Sequence, residues 1–148
     1  MEQMSDNFFY ILLLKPDRVR DIIDFSRRSS HFFLIMDIGS IVSEVQVQAA
    51  LDRAKRRMEN GSKVREIGSL VLMYISGEPQ VGNAIRAAGI SGKTKKAMIV
   101  CDDVEEMKKF RDEFGDAIDE IKQPPIPHDN PSRDREVFFA MSNVDFQS

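Results

Sequence analysis

Two kinds of hydrophobic pattern alternate along this chain. Unbroken apolar runs, FFYILLL at 8–14 and HFFLIMDI at 31–38, predict buried strands, and KKAMIVCDD at 95–103 predicts a third. Between them, apolar residues recur every three or four positions and predict helices. The first opens at Pro16 and runs to about Arg28, with Val19, Ile22, Ile23 and Ser26 on one face. A second starts at Ser43 as N-cap, with Gln46 completing a capping box. Its core stripe is Val47, Ala50, Leu51, Ala54 and Met58, and Asn60-Gly61 ends it. Its outer face carries Arg53, Lys55, Arg56 and Arg57.

Six consecutive apolar residues at 70–75 fit a strand or a buried helix by periodicity alone. Only Val71 and Ile75 are β-branched, and Gly77-Glu78-Pro79 is better chemistry for a junction of two helices. Gly77 is suited to a left-handed helix stop and Pro79 to the first turn of the next helix. Val81, Ala84, Ile85 and Ala88 then form its buried stripe, closed by Gly89 with Ile90 beyond. Downstream, Asp102 or Asp103 caps a helix bearing Val104, Met107, Phe110 and Phe114 and stopped by Gly115. Ala117 to Ile121 reads as a short fourth strand. The segment 123–132 holds four of the six prolines and predicts an extended loop, before a short apolar C-terminal element that packs back on the body. The expected fold is α/β of α+β character. It is one domain over 1–148, with a central mixed or antiparallel sheet of about four strands surrounded by five to six helices.

At 148 residues such a chain can bury a self-sufficient core. Its apolar runs are too short to span a bilayer, and MEQMSDN carries acids where a secretory signal would carry bases. Cys101 is the sole cysteine, which excludes an intrachain disulfide and makes the cytoplasm the default compartment. A net charge of −3 conceals an asymmetry: 53–96 holds ten Lys/Arg against three acids, so that segment is +7 and the remainder −10. A basic face able to meet phosphates is one consequence of such separation, and an ordinary solvated surface is the other.

Catalytic chemistry is hard to place. His31 and His128 stand alone, Cys101 reads as a small buried hydrophobe, and Asp102-Asp103 with Glu105-Glu106 looks like a helix start rather than a metal site. Gly92-Lys93-Thr94 ends like a phosphate-binding loop, but the required earlier glycine is Ala87, and a strand follows where a helix is needed.

Two segments resemble the PRPK-binding protein (TPRKB) family, the small subunit of the KEOPS complex. One is Tyr74-Ile75-Ser76-Gly77 with Gln80-Val81, Ala84-Ile85 and Gly89-Ile90, similar to a family hairpin of the form LLYLSG-x-RQI-x-x-AI-x-x-x-GI. The other is Ser43 followed by Ala50-Leu51-Asp52-Arg53-Ala54. The likeness covers about 8 to 122, and departs from the pattern at Pro79, where the family often has arginine, and at Leu70, where an acid is common. It implies a non-enzyme without cofactor or metal, binding the PRPK-type kinase/ATPase subunit and presenting tRNA by its 3′ end for threonylcarbamoyladenosine synthesis. On that reading Arg53, Arg56, Arg57, Lys63, Arg65, Arg86, Lys93, Lys95 and Lys96 form the pool from which phosphate contacts are drawn. The kinase-facing surface is expected to be apolar and helical, without named residues. Two alternatives stay open. One is a homodimer joined through the small-residue helix 79–88 and indifferent to RNA; the other is a small enzyme with a nucleotide site at Gly92-Lys93-Thr94.

Overall fold

A computed structural model describes residues 8–62, 64, 66–121 and 126–147. The chain divides into two compact units, Met1–Ile38 with Ile90–Pro125, and Gly39–Gly89 with Ile126–Ser148. Among the described residues the architecture is α+β, with six α-helices and one four-stranded antiparallel sheet.

The first unit holds the sheet. Strands β1 (Phe8–Leu14), β2 (Phe33–Asp37), β3 (Lys96–Cys101) and β4 (Ile118–Ile121) lie in the order β2-β3-β1-β4, every pair antiparallel. Leu12 stands opposite Ala97 on one side and Glu120 on the other, while Ile35 faces Ile99. In β2 and β3, runs of four and five consecutive residues are buried, which explains why their sequences are continuously apolar instead of alternating. One set of alternate residues, with Leu12, Phe33, Ile35, Ala97 and Ile99, packs against helices α1 (Val19–Arg28) and α5 (Val104–Phe114). Phe25, Phe33, Phe110 and Phe114 form a cluster there, with ring centroids 5.1 to 5.9 Å apart.

Several boundaries differ from expectation. Pro16 opens a single 3-10 turn, Pro16–Arg18, before α1 begins at Val19. Phe25 joins Val19 and Ile22 as the buried residues of α1, while Ile23 and Ser26 are half-buried: the large Phe25 ring reaches the aromatic cluster from the edge of the stripe, and the small Ser26 covers less of it. Of the two expected caps of α5, Asp103 is the one used, its carboxylate accepting from the Glu106 N–H at 3.2 Å.

The second unit is helical: α2 (Glu44–Glu59), α3 (Ile67–Ser76), α4 (Val81–Ala88) and α6 (Pro131–Gln147). The ambiguous run 70–75 is a helix. All six residues Leu70 to Ile75 are buried, since α3 is packed by α2, α4 and α6, and a helix covered on so many sides is apolar all round. Gly77 ends it at φ +73°, the left-handed stop. Pro79 precedes the N-cap Gln80 and so stands just outside α4 instead of in its first turn. Ser43 caps α2 by accepting from the Gln46 N–H at 3.0 Å. The return bond of the capping box is displaced by one residue: Gln46 Oε1 accepts from the Val42 N–H at 2.6 Å, and Nε2 donates to the carbonyl oxygens of Ser40 and Ile75.

The expected proline loop is shorter than drawn. Pro131 and Ser132 already belong to α6, with Pro131 in the position before which no helical N–H is needed. Residues 122–125 lie outside the described residues. Asp134, buried on α6, accepts from the Ser43 hydroxyl and from the Asn130 N–H at 2.8 Å.

Candidate partner-binding surfaces

On α2, Arg53, Arg56 and Arg57 follow the spacing i, i+3, i+4, which sets them along one edge of the helix, and the C-cap Asn60 continues that edge. Tyr74 from α3 and Asp145 from α6 complete a cavity of about 350 Å³. Arg53 Nη1 meets Asp145 Oδ2 at 2.8 Å, and Arg57 Nη1 donates to the Tyr74 hydroxyl at 3.4 Å. That hydroxyl in turn donates to Asp145 Oδ1. Burial pushes the Tyr74 phenol above its ordinary pKa, and its bond to Asp145 pushes the same way. Arg53 and Arg57 are therefore half-buried structural partners as well as cations. Arg56 is exposed and has no ion-pair partner among the described residues.

The remaining basic candidates divide between the two units. Arg86 is exposed on α4 and bonds the side chain of Asn83. Lys93, Lys95 and Lys96 are exposed on and after the turn that leads into β3. Thr94 lies buried among them. Its N–H bonds the Ser91 carbonyl at 3.0 Å, and its hydroxyl donates to Asp37 Oδ2 at 2.7 Å. The hydroxyl that a phosphate-binding loop would turn toward a metal is thus committed to holding the turn, and β3 follows it directly. Lys63 and Arg65 lie outside the described residues. Among the described residues, no three His, Cys, Asp or Glu side chains group as metal ligands.

The motif residues are largely architectural. Tyr74 is buried, and Gly77 is closed in by Ala140 of α6. Ala84 and Ala88 are buried on α4, and Ile90 joins the core of the sheet unit. A Cβ on Gly89 would lie 2.6 Å from the Ile85 carbonyl oxygen, which restricts that position to glycine. Gln80 caps α4 through its backbone and is exposed. Two expected core residues face outward: Ile85, 41% exposed, and Met58 at the end of α2.

The sequence reading missed the largest apolar exposure. On α6, Asp134, Met141 and Val144 turn inward, with Val137, Phe138 and Ala140 half-buried. The opposite stripe carries Arg135, Phe139, Ser142 and Phe146, and its two phenylalanines are 80% and 90% exposed. Their seven-residue spacing was the available signal: once Met141 and Val144 face in, helical geometry turns 139 and 146 out.

No curated protein matches the chain. The sequence model of the family described as kinase binding protein CGI-121 matches residues 16–139. The chain belongs to this family. Membership extends the likeness well past 122, through the first half of α6. Among the described residues, no helix is long and apolar enough to cross a membrane.

Proposed function

We propose that this CGI-121 family chain is a non-catalytic, cytoplasmic accessory subunit. It binds a PRPK-type kinase/ATPase partner and carries tRNA, through its 3′ end, to a KEOPS-like complex for threonylcarbamoyladenosine modification. Membership of a kinase-binding family is the observation that carries this reading. The outward stripe of α6 supports it, because two large aromatic side chains in water are costly unless a partner covers them. The exposed cations Arg56, Arg86, Lys93, Lys95 and Lys96 support the tRNA half, standing at the surface where phosphates can reach them.

Calorimetry against a purified PRPK-type kinase tests the first half. Phe139→Asp with Phe146→Asp leaves the fold intact, since both side chains stand in solvent, and weakens kinase binding by about thirtyfold or more. Unchanged affinity in the double variant removes α6 as the docking face. A gel shift with tRNA, intact and lacking its 3′-terminal nucleotides, tests the second half. Binding lost on trimming supports the recruiting role, whereas equal binding to both RNAs rejects recognition of the 3′ end.

A further inference from the structure

The cavity beside α2 is unlike the rest of the basic surface. Arg53, Arg56 and Arg57 converge on it, Asp145 is the one acid in its lining, and the formal charge of that lining is +2. The C-terminal end of α2 contributes about half a negative charge, too little to cancel the excess. At about 350 Å³ the space falls within the roughly 300–1,000 Å³ of small-ligand clefts.

Asp145 sits in this cavity as an anion would. One carboxylate oxygen takes a guanidinium N–H from Arg53 at 2.8 Å, and the other takes the Tyr74 hydroxyl. Arg57 reaches only that hydroxyl, and Arg56 has no ion-pair partner among the described residues. A carboxylate has two oxygens, whereas a phosphate group presents more acceptors with more charge and matches forked guanidinium donors.

We infer that the cavity lined by Arg53, Arg56 and Arg57 is a binding site for one phosphate group, which Asp145 occupies in the free protein as an internal competitor. An incoming phosphate takes the Arg53 and Tyr74 donors from Asp145 and adds Arg56 and Arg57. The phosphate belongs either to an RNA backbone or to a free phosphate or nucleotide; only the first source rests on the tRNA reading above.

Calorimetric titration of the full chain with inorganic phosphate, with 5′-AMP and with tRNA tests this in the wild type, Asp145→Asn and Arg56→Ala. Both substituted side chains are exposed, and thermal melting checks that the variants fold. Removing the competitor tightens binding about two- to fivefold, the worth of one partly exposed ion pair. Arg56→Ala weakens it by a similar factor or more. A response with inorganic phosphate or 5′-AMP supports the site and identifies a free phosphate source. A response confined to tRNA supports it with an RNA-borne phosphate. Asp145→Asn that binds no more tightly, or Arg56→Ala that binds equally well, overturns the inference. Phosphate binding that responds as expected alongside absent tRNA binding rejects the RNA reading and keeps the site. Binding of tRNA that ignores both variants keeps the RNA reading and rejects the site.

Discussion

Gly77 is under two constraints at once. Its φ of +73° is a conformation that side chains disfavour, and a Cβ there would stand 2.8 Å from the Ala140 Cβ of α6. Gly61, at φ +81°, shares the first constraint and has nothing within 4 Å to impose the second. Gly61→Ala therefore costs about 1 kcal/mol of backbone strain, and Gly77→Ala about 2 kcal/mol or more. Thermal melting reads the difference: Tm falls roughly 2–4 °C for the first variant and at least twice that for the second. Equal losses would show that α6 shifts away from α3 without cost. The left-handed stop at Gly77 was legible in the sequence because it follows from local chemistry alone. The approach of Ala140 was not, because it depends on where a helix sixty residues downstream packs. Ile85 and Met58 were misjudged for a related reason: their spacing marks an apolar stripe, but only tertiary packing decides how much of a stripe is covered.

At the scale of elements, burial separated the legible from the illegible. The three strands with unbroken apolar runs, and the cap of α2 at Ser43, declare themselves locally. Helix α6 does not, because Phe138 and Phe139 adjoin, about 100° apart on the helix, one half-buried and the other exposed, which blurs the apolar face. Strand β3 offers a direct check on its central place. Cys101 is fully buried at its end, and burial pushes the thiol up from an ordinary 9.0 to about 11. A buried neutral thiol is a poor nucleophile, so a thiol reagent at pH 7–8 labels the native protein only as fast as the sheet opens. Labelling as fast as in denaturant would contradict its position. The pH dependence has a definite sign. The folded thiol keeps its proton where the unfolded thiol loses it, so this contribution is whole below pH 9 and disappears as pH rises towards 11. Cys101→Ala flattens that alkaline decline.

Across the whole molecule, the two proposed partners meet surfaces of opposite chemistry. The stripe of α6 proposed to face the kinase is led by Phe139 and Phe146, and burying aromatic area depends little on ionic strength. The proposed tRNA contacts instead draw on cations in both units, the α2 arginines in one and Lys93, Lys95 and Lys96 in the other. Each phosphate neutralised releases counterions, so tRNA affinity falls steeply with salt while kinase affinity stays nearly constant. Replacing Lys93, Lys95 and Lys96 together by alanine lowers the salt slope by about 2–3 units if all three meet phosphates. The backbone of their turn is held by Thr94 and Asp37, so the substitutions leave the fold unchanged and kinase affinity with it. The measurement is tRNA binding at three or more salt concentrations, paired with kinase binding at the same concentrations. A slope unaltered by the triple replacement assigns these lysines to solvated surface and leaves the arginines of α2 as the RNA contacts. A kinase affinity that falls with salt as steeply as tRNA affinity refutes the division into an apolar and a cationic surface, since one electrostatic interface would then serve both partners.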